Sequence, residues 1–163
     1  MTNLYIDFDG VIMDTNKAIT SLLEEYNISS ENNEEKLEFL SKVNWHQLLN
    51  QSNEISNAFK NIQTLAQSGI YNVSILTHVC SEHESIEKTK LINEKIGNVS
   101  VIPVPRHQEK CNYVDPKNAI LVDDYTKNLE LWEQNGGIGI KFTNKEYNKF
   151  KSIYDLSDIL NIF

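Results

Sequence analysis

Two aspartates, Asp7 and Asp9, stand one residue apart in the run L4-Y-I-D-F-D-G-V-I-M-D-T15. A strand sends residues i and i+2 to the same face, and like charges held that close raise both pKa values unless something neutralises them. A second acidic pair, Asp123-Asp124, ends the apolar run of residues 119–122. Thr77 and His78 end another apolar run, residues 72–76, and Arg106, His107 and Lys110 follow a third, residues 99–104. Four carboxylates brought to one edge call for a cation, and hard oxygen donors select Mg²⁺. Thr77 and Lys110 add a hydroxyl donor and a fixed positive charge, a combination suited to a phosphoryl group. In that setting Asp7 has the chemistry of a nucleophile that forms an aspartyl-phosphate. Asp9 has that of an acid/base that protonates a leaving alcohol and then activates water.

For these groups to meet, the apolar runs must be neighbouring strands of one sheet. Residues 4–8, 72–76, 99–104, 119–122 and Ile138–Phe142 read as five short strands, and helical spacing separates most of them. Residues 16–26 carry Ala18, Ile19, Leu22, Leu23 and Tyr26 at helical intervals, with Asp14 or Thr15 as the cap. Residues 85–96 are closed by Gly97, residues 128–134 by Gly136-Gly137, and residues 156–162 form a last helix. Strands alternating with helices imply an α/β fold, a Rossmann-like parallel five-stranded sheet whose ligands bind outside the carboxyl ends of the strands. The gap between the first two strands is much longer than a crossover needs. Residues 15–70 are therefore expected to form a small helical cap, inserted into a core made of residues 1–14 and 71–163.

The segments D7-F-D-G-V-I, I-L-T77, Lys110 and L-V-D-D124 resemble the four ordered motifs of the haloacid dehalogenase superfamily of phosphohydrolases. The resemblance runs from residue 4 to about 142. It implies Asp7 as the nucleophile and Asp9 as the acid/base residue that marks phosphatases. It implies Mg²⁺ held by Asp7, the backbone carbonyl of Asp9 and Asp124, with Asp123 in support. Thr77, His78 and Lys110 would receive the phosphate. A narrower resemblance, carried by D-G-V, by I-L-V-D-D-x-x-x-N-L-x-x-W and by G-G-I-G-I-K-F, is to bacterial relatives of the 5′(3′)-deoxyribonucleotidases. It implies a nucleoside monophosphate as substrate. The alternatives are a sugar phosphate or other small metabolite, or a phosphate-ester binding protein without turnover; an intact Asp9 argues against the last.

Blander roles compete at several positions. Asp123-Asp124 can also cap the following helix. Lys88 and Lys90 rival Lys110 as the phosphate lysine. Trp45, in V43-N-W-H-Q-L-L49, has the spacing of a core residue, and stacking on a nucleobase is the sharper alternative. His46 and His83 read as exposed. The composition narrows the rest. Fifteen Lys and Arg against 23 Asp and Glu leave a formal charge of −8 and no basic stripe, which argues against duplex nucleic acid as a partner. Two cysteines, Cys80 and Cys111, stand in no C-x-x-C or Cys/His cluster, which argues against zinc or a disulfide framework. No leader pattern or membrane-length apolar run is read, so a cytoplasmic protein with no membrane partner is expected, as a monomer or a homodimer.

Overall fold

The computed structural model describes residues 1–163. Its sheet has six parallel strands in the order β3-β2-β1-β4-β5-β6, where β1 is Thr2–Ile6, β2 Tyr71–Val79, β3 Ser100–Pro105, β4 Ile120–Asp123, β5 Ile138–Phe142 and β6 Lys151–Ile153. The expected five strands are thus corrected to six. The added β6 is a three-residue edge strand that pairs with Ile140–Phe142 and has one buried side chain, Ile153. The chain builds outward from β1 to β3, then returns to the other side of β1 with β4. That reversal leaves a crevice between β1 and β4 at their carboxyl ends, where open α/β sheets take ligands.

The strands are apolar on both faces because both are covered. Leu4, Ile6, Ile120 and Val122 face one cluster with Ile62 and Leu65 of α4 (Ala58–Gln67), Ile92 of α5 (Glu82–Lys95) and Ile159 of a short C-terminal helix. Tyr5 and Leu121, one residue out of phase, face a second cluster with Leu129 and Trp132 of α6 (Thr126–Gln134). The period-two alternation of a strand divides neighbours between the two layers.

The segment 15–70 does not form one body. Helices α1 (Thr15–Glu25), α2 (Asn33–Ser41) and α3 (Trp45–Gln51) enclose their own small core of Ile19, Leu23, Leu40, Trp45 and Leu48. Helix α4 instead lays Ala58, Ile62 and Leu65 against the sheet. Helices α1–α3, within the segment expected as the cap, thus cluster among themselves, and α4 packs on the sheet. Its apolar stripe has to be buried somewhere, and the sheet face beside β2 is where it is buried.

The chain enters and leaves the cap through two connectors that pair with each other. Asp14 N–H donates to Asn53 O at 2.8 Å, Ile55 N–H donates to Ile12 O at 2.9 Å, and Met13 and Glu54 form an antiparallel bridge. Asp14 also caps α1, its carboxylate accepting from Lys17 N–H. No helix is long and apolar enough to cross a membrane.

Candidate active site

The site is assembled by register. Ile6 lies opposite Val122, and Asp7 N–H donates to Val122 O at 2.9 Å, so the residues leaving β1 and β4 arrive side by side. The carboxylates of Asp7, Asp123 and Asp124 then offer oxygens within 4.8 Å of one another.

They are not equivalent. Asp123 is fully buried and fully engaged: Oδ2 accepts from Lys110 Nζ (2.7 Å) and Asn128 Nδ2 (2.9 Å), and Oδ1 accepts from Tyr125 N–H (2.8 Å). Its work is to hold Lys110 and the turn into α6. Lys110, at the start of a 3₁₀ turn (Lys110–Asn112), also donates to Asp7 Oδ1 at 2.7 Å. Burial works against the ammonium, but Asp123 and Asp7 more than offset it and its pKa is pushed up to about 12.

Asp124 keeps its carboxylate free of hydrogen-bond donors; its backbone carbonyl is taken by Lys141 Nζ. Gly10 lies directly against it. A Cβ on Gly10 would come within 2.1 Å of Asp124 Oδ2 and 2.9 Å of Asn16 Nδ2, and Gly10 has φ +79°, a conformation side chains disfavour. The glycine keeps that approach open.

The charge balance suits a cation at this edge. Burial, and then the neighbouring Asp123, push the Asp7 carboxyl well above the ordinary range, despite Lys110. Burial, then Asp123 and Asp9, raise Asp124 to about 7. Two carboxylates raised by burial and by like-charged neighbours, Asp7 and the unbonded Asp124 in a cradle only glycine leaves open, with Asp123 beside them, fit a hard divalent cation such as Mg²⁺.

Asp9 stands apart from this cluster. Its Oδ1 accepts from Thr15 Oγ1 at 2.6 Å and its Oδ2 from Lys88 Nζ at 2.7 Å. Burial opposes its charge, but Lys88 prevails and the carboxyl is held below its ordinary value. β1 ends at Ile6 and the chain then turns, Val11, Ile12 and Met13 N–H all bonding Phe8 O, and Asp7 and Asp9 both line the same cavity.

The rivalry of the lysines resolves into a division. Lys110 serves Asp7 and Asp123, whereas Lys88, with no exposed surface, serves Asp9. Lys90 pairs with Glu87 near the surface. Thr77 is fully buried next to Lys88, its Oγ1 accepting from Nζ at 3.1 Å. His78 Nε2 donates to Gln108 O at 2.9 Å, and burial holds its imidazole below the ordinary value, hence neutral at pH 7.

Sequence reasoning missed Lys88 as a partner of Asp9, Thr15 as its second anchor and Asn128 as a support for Asp123. Lys88 had left a signal: Glu84, Lys88 and Ile92 form one i, i+4 line, so charge occupies the buried stripe of α5.

A cavity of about 600 Å³ opens above Asp7, Asp9 and Asp124. The cap contributes Asn16, Ile19, Asn33, Lys36, Leu37 and Leu40; the core adds His78, Arg106, Tyr125 and Lys127 among others. Trp45 is absent from it. The indole is fully buried in the cap core, with Nε1 donating to Leu40 O at 3.1 Å, which fits the core reading of its spacing and not the stacking alternative. Phe39 leans on Tyr26, and Phe59 packs toward the core cluster.

No protein-family model matches this chain, and no curated protein sequence matches it. Solved structures do. A haloacid dehalogenase superfamily hydrolase of subfamily IA from Geobacter sulfurreducens superposes with a TM-score of 0.66 at 13% identity, covering 99% of this chain and 96% of the other. A phosphatase of that superfamily from Thermococcus onnurineus gives 0.62 at 15%, covering 99% and 97%. A Bacillus subtilis hydrolase of the same type, in a magnesium-bound form, gives 0.62 at 13%, covering 99% and 97%. The sheet order and these superpositions agree: the chain has the fold of the haloacid dehalogenase superfamily of hydrolases.

Proposed function

We propose that this protein is a Mg²⁺-dependent phosphomonoesterase that works through an aspartyl-phosphate on Asp7, with (deoxy)nucleoside monophosphates as the substrate class. The observation that carries the reading is the separation of two carboxylates only two residues apart. Asp7 sits with Lys110 and the acidic cluster, and Asp9 is drawn out of that cluster by Thr15 and Lys88. That difference in partners supports Asp7 as the nucleophile and Asp9 as the proton-transfer group.

Asp7, Asp124 and the backbone carbonyl of Asp9 would hold Mg²⁺, with Asp123 supporting. When bound, the ion neutralises the carboxylates and the phosphoryl oxygens so that two anions can approach. The Asp7 oxygen not held by Lys110 attacks phosphorus, and the bond to the leaving oxygen breaks as Asp9 delivers a proton to it. The doubly charged phosphoryl group, on arriving beside Asp9, favours the protonated form that this step needs. Lys110 and the Thr77 hydroxyl bind phosphoryl oxygens. Water then attacks the acyl phosphate while Asp9 takes its proton, releasing inorganic phosphate and restoring Asp7.

The nucleotide assignment rests on the D-G-V, L-V-D-D-x-x-x-N-L and G-G-I-G-I-K-F resemblance and on a cavity roomy enough for more than a phosphate. One observation favours a smaller sugar or metabolite phosphate instead: the cap face of the cavity presents amides, aliphatics and Lys36, with no aromatic ring. Phosphate release measured across nucleotides and sugar phosphates, with Mg²⁺ and with EDTA, separates the two. Asp7→Asn, isosteric but a poor nucleophile, should lose several orders of magnitude in kcat. Activity that survives exhaustive chelation, or a variant with near-normal turnover, would refute the mechanism.

A further inference from the structure

We infer that Lys88 is a positioning residue for the acid/base step: from beneath the site it fixes Asp9 and Thr77 together, as Lys110 fixes Asp7 and Asp123. This rests on the phosphomonoesterase reading of Asp9 and Thr77. Lys88 has no exposed surface and touches no substrate space. Its ammonium donates to Asp9 Oδ2 (2.7 Å) and lies within hydrogen-bond distance of Thr77 Oγ1 (3.1 Å) and His78 O (3.2 Å). Glu84 Oε1 also lies 2.7 Å from Nζ as an ion-pair partner, so the ammonium sits between two buried carboxylates.

Stability alone does not account for a charge cluster at this buried stripe. A buried ion cluster replaced by well-packed apolar groups is often neutral or stabilising, and the stripe on α5 continues with Ile92, which is apolar. What an aliphatic side chain could not do is act on the site. With Thr15 on Oδ1 and Lys88 on Oδ2, the Asp9 carboxylate is held at both oxygens and cannot swing toward the acidic cluster. With a lone pair of Thr77 Oγ1 occupied by Lys88, the hydroxyl proton is what Thr77 has to offer. That proton rests on His78 O at a long 3.3 Å. Exchanging so weak a partner for a phosphoryl oxygen costs little.

The cap completes the arrangement. Trp45 and Phe8 place their ring faces 5.5 Å and 4.9 Å from Nζ, shielding the ammonium from water and strengthening its pull on Asp9. The indole thereby has a route to the chemistry without meeting substrate.

The test compares kcat/KM, which reports the phosphorylation step, for p-nitrophenyl phosphate and for the alkyl phosphomonoester that the wild type hydrolyses fastest. Lys88→Met alone strands two buried carboxylates and is at risk of unfolding. The decisive variant is therefore Lys88→Met with Glu84→Gln, which keeps the cluster's charge, beside Glu84→Gln as control. Misplacing the acid should cost the alkyl ester roughly 10²-fold. The aryl ester, whose leaving group needs little protonation, should lose less than about tenfold, and Glu84→Gln should keep the wild-type ratio of the two. A folded double variant with equal losses on both esters, or with none, would overturn the role of Lys88 while leaving the phosphomonoesterase reading standing. A wild type that hydrolyses no phosphomonoester would overturn both.

Discussion

Binding of Mg²⁺ should be strongly pH-dependent in a range where aspartates normally are not. Without a cation, burial and then Asp123 and Asp9 raise the Asp124 carboxyl to about 7, and Asp7 is raised as well. A metal ion must displace whatever proton Asp124 carries. A group of pKa about 7 is roughly 90% protonated at pH 6 and roughly 10% at pH 8, so this one site should weaken apparent affinity about tenfold between them. Any proton on Asp7 steepens the dependence. Stability follows the opposite sign in the chelated protein. A carboxyl raised in the folded state favours folding while protonated, and that contribution is lost as pH rises from about 4, the unfolded value, through about 7. The melting temperature with EDTA should therefore fall across that window, and the gain from Mg²⁺ should widen toward pH 8. Calorimetric titration of Mg²⁺ into EDTA-treated protein at pH 6 and pH 8, in two buffers of different ionisation enthalpy, counts the protons released. About one per ion is expected at pH 6 and almost none at pH 8. Equal affinities at the two pH values with no proton release would refute the reasoning.

Gly10→Ala should weaken Mg²⁺ binding without removing a ligand, because the new methyl would sit 2.1 Å from Asp124 Oδ2 and Asp124 must move. Its positive φ adds roughly 1–2 kcal/mol of strain, so a lower melting temperature should accompany the loss; unchanged metal affinity would show that Asp124 is not held at this spot. Trp45→Ala empties a fully buried site in the cap and should cost about 3–5 kcal/mol of stability. Because the ring packs and does not line the cavity, activity should fall in parallel on a nucleotide and on a second alkyl phosphate; a loss confined to the nucleotide would restore base stacking.

Where the sequence was readable, one residue type had one physical meaning. An apolar run followed by D-x-D-G-V reads as a strand delivering charge to a sheet edge, and L-V-D-D repeats that logic, so Asp7, Asp9, Asp123 and Asp124 are legible as candidates in the sequence. Asp14 as the cap of α1 was equally legible, because its side chain acts within one turn. The failures are matters of partner choice, which periodicity does not encode. The stripe Ile55, Phe59, Ile62 and Leu65 announces a helix, but its spacing is the same whether it packs in a cap or on a sheet. Trp45 likewise announces burial without saying against what. β6 escaped because Lys151-Ser152-Ile153 is too short to alternate and is a strand only by virtue of its pairing with β5. Lys88 and Lys110 could not be ranked because each is the right lysine for a different aspartate.

The paired connectors at Met13–Asp14 and Asn53–Ile55 make the cap a module with a single doorway. Its two ends are already stitched together by backbone hydrogen bonds, so the closure entropy of the intervening loop is met at the seam and grows only slowly with loop length. The core therefore scarcely registers how much chain lies beyond the doorway. Lengthening α2, or exchanging the residues that α1 and α2 present to the cavity, would redraw what the pocket admits while the seam holds Asp7, Asp123 and Asp124 where they are. Selectivity and chemistry are carried on parts of the chain that can be altered independently. The exceptions are Thr15, which bonds the acid/base residue directly, and Trp45, whose reach extends to it through the ammonium beneath the ring.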